Sequence, residues 1–237
     1  MNTQLSTPTN TPFTRLIGKL ELVQPALQHE AQQLWAGPDA HSIYPLYLEQ
    51  MHMVVRAGVS LMETAVLAAK KLPASSALKT SLIEYLHKHI EEERGHDLWL
   101  LEDYAATGHN PEHLLAKIPS CEVANMVGAQ YYWILHHHPV MVMGHVAALE
   151  NYHPPTGFAR YLSELTGYGL DAFRAISRHE KLDLIHKVEI QALIDGLNLS
   201  PRDEVALGVS GLHTMRSGLA VLESIRQMHH EKTAIHC

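Results

Sequence analysis

Residues 174–197 read RAISRHEKLDLIHKVEIQALIDGL. Wound at about 100° per residue, this stretch and its flanks place Ala172, Ala175, Ile176, Ile190, Leu193, Ile194 and Leu197 in one stripe. The stripe is roughly 100° wide, as on a core-facing helix. His179, Asp183 and His186 fall in its middle. Their i, i+4, i+7 spacing stacks three polar side chains on one face over two turns. Burying a carboxylate and two imidazoles costs several kcal/mol unless they are paired or hold a metal. Two readings follow: a buried Asp–His hydrogen-bond network, or a metal site.

The helical period continues on both sides. Stretches rich in Leu, Ala, Glu, Met and His alternate with short Gly, Pro, Asn and Ser breaks. They predict helices at 12–34 (bent near Pro25), 43–71, 75–107, 120–137, 139–152, 157–166, 169–196 and 201–231. Ser200-Pro201 followed by Asp203 and Glu204 is a well-formed helix start, with Ser as cap, Pro in the first turn and acids near the helix N-terminus. No break is long enough for a flexible linker. The expectation is one all-α domain over 12–237, a single helical bundle. Residues 1–11, polar and rich in Thr and Asn, read as a disordered arm.

Composition narrows the function classes. Apolar residues make up 46% of the 237 residues, charged residues 18%, and the formal charge is −7. Basic residues do not cluster, which argues against a nucleic-acid partner. Two cysteines, Cys121 and Cys237, are too few for a disulfide framework. No run of 18 uninterrupted apolar residues and no leader is seen. A cytoplasmic protein without a membrane partner is therefore expected. Nineteen histidines are present, so their positions carry more weight than their number.

Two further predicted helices offer partners to the first. In 75–107 the apolar stripe is Leu78, Leu82, Leu86, Ile90, Leu100, Leu101 and Tyr104, with Glu93 near its centre. Asp97 lies beside it and His89 and His96 on its flank, whereas Glu91 and Glu92 point away. The wheel thus selects Glu93 with His96, an i, i+3 pair of the kind that helical carboxylate di-iron sites use. His89-x-x-x-Glu93-x-x-His96 also repeats the spacing of His179-x-x-x-Asp183-x-x-His186. In 139–152, Glu150 shares a face with Val140, Met143, Val146 and Ala147, and Gly144 would let a neighbouring helix come close. Glu150 can equally be read as a partly solvated residue near a helix end. Together Glu93, His96, Glu150, His179, Asp183 and His186 give three carboxylates and three imidazoles. Such mixed N/O ligands suit two Fe(II)/Fe(III) ions, with manganese an alternative occupant.

At these residues, Glu93-x-x-His96, the segment Pro139 to Gly144 leading to Glu150, and His179-x-x-x-Asp183-x-x-His186, the chain resembles the haem-oxygenase-like di-iron oxidases and oxygenases, the iron-containing redox enzymes. The resemblance covers roughly residues 40–231. It implies a haem-oxygenase-like bundle of seven to eight helices without haem. It also implies O2 activation on a small organic substrate, carboxylate- or amine-bearing molecules among the candidates, and a fold on which homodimers are common. Some members carry a Glu seven residues before the first His, where this chain has His89, so either Glu93 is the ligand or the ligand set differs. Glu63, on a face with Val59, Val66 and Leu67, is a spare carboxylate. Rival readings on related folds are a thiaminase II (TenA) enzyme using Cys121, a metal-free PqqC-type oxidase, a haem oxygenase with His29 as proximal ligand, and a metal- or ligand-binding protein without turnover. Tyr131, Tyr132 and Trp133 could line the pocket or fill the core. Arg56 or Arg160 could hold a substrate carboxylate or pair at the surface.

Overall fold

A computed structural model describes residues 10–152 and 154–235. Most of the expected N-terminal arm (residues 1–9) and Cys237 lie outside the described residues. Thr11 is the N-cap of the first helix and forms a capping box with Thr14.

The described residues form eleven α-helical segments and no strand. These are α1 (Pro12–Leu20), α2 (Gln24–Trp35), α3 (Ala40–Lys70), α4 (Lys79–Glu93), α5 (His96–Ala106), α6 (Pro111–Leu115), α7 (Cys121–His136), α8 (Val142–Asn151), α9 (Phe158–Thr166), α10 (Arg174–Gly196) and α11 (Pro201–Ile235). The count exceeds seven to eight for three reasons. The bend near Pro25 separates α1 from α2. The short α6 starts at Pro111, after an Asn110 cap whose side chain accepts from Glu112 N–H. The predicted helix 75–107 is two helices, because Gly95 sits at φ 87°, in the left-handed region that glycine enters freely.

The apolar side chains gather into two clusters. One joins Leu20, Leu61, Leu82, Leu86, Met143, Ile190 and Ile194. The other joins Leu34, Tyr44, Leu48, Leu100, Leu162, Phe173 and Ile176. Helices α3, α7, α10 and α11 and the α4–α5 path each run from one cluster to the other. The apolar face of α10 serves the second cluster up to Ile176 and the first from Ile190. The α4–α5 path changes clusters between Ile90 and Leu100, and α3 between Val54 and Leu61. The polar residues of the α4–α5 and α10 motifs occupy these crossings.

Helix α8 packs against α11 at close range. A Cβ on Gly144 would meet the Leu207 carbonyl oxygen and come within 2.9 Å of Gly211 N, so glycine at 144 does let the neighbouring helix approach. By length and mean hydropathy alone, α3 and α11 could each cross a membrane, but half of the most apolar window of α11 is buried inside the bundle.

Candidate metal centre

The polar belt is assembled from three directions. Helix α10 is continuous, so His179, Asp183 and His186 stand on one face as predicted; Asp183 and His186 are buried. The helix is anchored at its start by Asp103 of α5, whose carboxylate is fully buried and accepts from Arg174 N–H and Ala175 N–H, each at 2.9 Å. This cap comes from a distant helix and satisfies two otherwise orphan donors. Burial pushes the Asp103 carboxyl up to about 6, against the two backbone hydrogen bonds that stabilise its ionised form.

The α4–α5 junction supplies the second set. Glu93 is the last residue of α4 and His96 the first of α5. They do not lie on one continuous wheel. The left-handed Gly95 turns the chain so that His96 Nδ1 comes within 2.9 Å of a Glu93 oxygen. Arg94, inside the motif, points outward to Glu91 at 3.1 Å and Glu63 at 3.9 Å. Glu150, from the end of α8, is the third component; its carboxylate lies 3.1 Å from His186 Nδ1 and 3.6 Å from His89 Nε2.

The two motifs lie side by side in opposite directions. His89 meets His186 edge to face, with ring centroids 4.8 Å apart, and His96 meets His179 in the same way at 5.0 Å. Candidate ligand atoms therefore fall into two groups. His89, Glu93, Glu150 and His186 form one; Glu93, His96 and His179 form the other. Within each group the atoms lie within 4.8 Å of one another, and Glu93 belongs to both. Of the six residues selected from sequence, five enter these groups. Asp183 lines the adjoining cavity but joins neither group, and its Oδ1 is buried without a hydrogen-bond partner. His89, which the wheel left on a flank, is 2% exposed and joins the first group.

The donor chemistry fits a cation. Glu93 Oε1, His89 Nδ1, His96 Nδ1 and Asp183 Oδ1 are buried without hydrogen-bond partners. His96 Nδ1 and Glu93 approach closely yet are not aligned for a hydrogen bond, as when two donors face a shared third point. His179 Nδ1 must donate to the Ala175 carbonyl, 2.7 Å away, which leaves Nε2 with its lone pair free. A ring fixed in this way is the usual state of a metal-ligating histidine. Trp99 stacks on His96 at 3.9 Å and carries the Arg178 guanidinium on its ring at 4.2 Å, walling off that side.

Without a cation, charge is distributed unevenly. Burial raises the Glu150 carboxyl, but hydrogen bonds and charge from His186 and His89 outweigh it and hold the group at about 2. Burial lowers the His186 imidazole, and Glu150 together with Glu93 and Glu92 lifts it to about 8. Asp183 is pushed up to about 8 by burial and by the charges of Glu150 and Glu93, against the pull of His186. Burial lowers His179.

A cavity of about 210 Å³ adjoins the cluster. Its walls are mostly apolar, with Met51, Val54, Leu61, Val142 and Ile176 among them, and no Lys or Arg lines it among the described residues. Arg56 and Arg160 are thus not substrate anchors in this cavity. Tyr131, Tyr132 and Trp133 do not line it either; Tyr132 is 63% exposed, and the aromatic that does line it is Tyr47. Glu63 faces solvent toward Arg94 rather than the cluster. Cys121 is exposed at the start of α7, and His29 is exposed on α2.

Residues 46–213 match the family model described as "iron-containing redox enzyme". No curated protein gives a match. Among solved structures, a domain of unknown function with a haem-oxygenase-like fold from Shewanella denitrificans OS217 superposes with a TM-score of 0.74 at 15% identity, covering 92% of this chain and 91% of that one. A TenA homologue from Pseudomonas syringae pv. tomato DC3000 gives 0.69 at 16% identity, covering 90% and 92%. A CADD-like protein of unknown function from Nostoc punctiforme PCC 73102 gives 0.68 at 13% identity, covering 91% and 97%. At these identities the structural likeness establishes the haem-oxygenase-like fold alone.

Proposed function

This chain belongs to the iron-containing redox enzyme family, and from that premise we propose that it is an O2-activating non-haem oxidoreductase that holds two iron ions sharing Glu93. The observation that carries the reading is the presence of Glu93 in both ligand groups. A carboxylate has two oxygens, and here each faces a different set of imidazoles. His89, Glu150 and His186 would complete one subsite, and His96 and His179 the other. Asp183, between His179 and His186 on α10, would add a further carboxylate from the cavity side. Ferrous iron with mixed imidazole and carboxylate ligands and open positions supplies reactivity toward O2. Manganese would suit the same ligands.

The chain's own residues prepare the site in three ways. Glu150, ionised and bonded to His186, offers negative charge that no lysine or arginine neutralises within either group. His179 is held in one tautomer by the Ala175 carbonyl. Asp183 and His186, both pushed up to about 8, would release their protons to admit a cation. The adjoining cavity, mostly apolar in its walls, has room for a small, largely apolar organic substrate. A cofactor-independent TenA- or PqqC-like enzyme fits the same fold, but Cys121 is exposed and does not line the cavity beside the cluster.

The test is oxygen consumption. Protein loaded anaerobically with Fe(II) and mixed with air-saturated buffer is expected to consume O2 faster than free Fe(II) at equal concentration, and Glu93→Ala is expected to lose the excess. Iron binding without any such excess would identify a carrier instead.

A further inference from the structure

Outside the metal cluster, the polar side chains lining the cavity are Tyr47 and His145. His145 lies on α8, one residue after Gly144, where α8 presses against α11. It is 4% exposed. Its Nδ1 lies 2.9 Å from Thr214 Oγ1 on α11. Thr214 has one hydroxyl proton, which it donates to the Ser210 carbonyl at 2.9 Å. Its oxygen can then only accept. It accepts from Gln130 Nε2 at 3.3 Å, and Gln130 is itself oriented by the Ser210 hydroxyl, which donates to Oε1 at 2.8 Å. The remaining lone pair of Thr214 must take a proton from His145 Nδ1.

The tautomer of His145 follows from this count. Nδ1 carries the proton, and Nε2 is left bare for the cavity that the ring lines. Ser210, Gln130 and Thr214 are all buried, so the network is shielded from water. Burial and the nearby His213 lower the imidazole to about 4, so the ring is neutral near pH 7.

We propose that His145 Nε2 is a fixed hydrogen-bond acceptor in an apolar chamber, and that the substrate presents to it an uncharged donor, a hydroxyl or a neutral N–H, on an otherwise apolar body. Thr214 is its positioning residue. The inference rests on the reading of this cavity as the substrate chamber beside the iron. The carboxylates that line the cavity, Glu93, Glu150 and Asp183, belong to the metal cluster on this reading, and at the neutral His145 ring a buried ammonium would lose more hydration than it regains. A donor-free analogue would leave Nε2 unpaired, and that gives the chamber selectivity.

Two measurements test it. The first is long-range proton–nitrogen NMR of the imidazoles in the metal-free protein, with His145 assigned by its loss in His145→Phe. The expected spectrum shows Nδ1 protonated and Nε2 bare in the wild type, and a mixed tautomer in Thr214→Val; a protonated Nε2 in the wild type overturns the proposal. The second is calorimetric binding of n-hexanol against n-hexyl fluoride, on iron-loaded protein without oxygen and on the metal-free protein. The wild type is expected to prefer the alcohol by up to about tenfold, the scale of one neutral hydrogen bond. That preference should vanish in His145→Phe and shrink in Thr214→Val, with iron content unchanged in both. A preference that survives in His145→Phe, or none in the wild type, overturns it. If the wild type held no iron, the proposed function would fall, while the tautomer and the metal-free alcohol preference would still decide this subsite.

Discussion

His179-x-x-x-Asp183-x-x-His186 and His89-x-x-x-Glu93-x-x-His96 share a spacing but differ in backbone. The first runs along one unbroken helix, and its three side chains stack on a single face. The second is cut by Gly95 at φ 87°, so Glu93 closes one helix and His96 opens the next. The break turns His96 toward His179 and leaves Glu93 between two sets of imidazoles. Spacing reports a shared face only where the helix is continuous. Where it is not, the same letters can set one carboxylate between two groups of imidazoles.

The largest expected effect separates the two acids. Glu93→Ala should abolish iron binding at both subsites, whereas Asp183→Asn should weaken it without removing both ions; elemental analysis after anaerobic loading reads the difference. Equal losses from the two substitutions would erase the distinction between the motifs. Next in size are the imidazole pairs. His96→Ala should cost the ion on the His179 side and His89→Ala the ion on the His186 side, each leaving its neighbour bound.

The pH dependence tests the continuous motif. Asp183 and His186 both titrate at about 8, and both must be deprotonated to ligate. Manganese affinity should therefore rise from about pH 6 to about pH 8, roughly tenfold per unit for each proton released; a flat profile would count against their role. The raised Asp183 also destabilises the metal-free fold increasingly as pH climbs from its ordinary value through about 8. Asp183→Asn should accordingly raise the melting temperature of metal-free protein at about pH 9, and a lowered value would contradict the repulsion from Glu150 and Glu93.

Smaller effects fall on the backbone of each motif. Gly95→Ala places a side chain in the left-handed region, at a cost of about 1–2 kcal/mol, or a few degrees in Tm. It should loosen the His96 side alone, seen as partial loss of one ion. Asp103→Ala removes the cap of α10 and should lower stability by about 1 kcal/mol in denaturant unfolding, with iron stoichiometry preserved.

The fold was legible because its helices are amphipathic and their breaks carry Gly, Pro or Asn. The face of α10 was legible for the same reason: Ala175, Ile176, Ile190 and Ile194 bracket the polar trio and are buried. The wheel still reached Glu93, because Leu82, Leu86 and Ile90 are on its own helix. It carried on through Gly95 to place His96, and there it described a helix that does not exist. The glycine between Arg94 and His96 was the available signal. His89 was left on a flank although it is buried, because what covers it is Glu150 and His186 from other helices. The Asp103 cap and the His145–Thr214 contact likewise join residues 71 and 69 positions apart, which no local period can report.

Two iron ions sharing Glu93 is the arrangement on which the proposed function stands. It is read by anaerobic Fe(II) titration of metal-free protein, followed by desalting and iron analysis. Two ions per chain are expected in the wild type, one in His96→Ala and none in Glu93→Ala. A wild type that binds no iron, or a Glu93→Ala variant that keeps both ions, would contradict it.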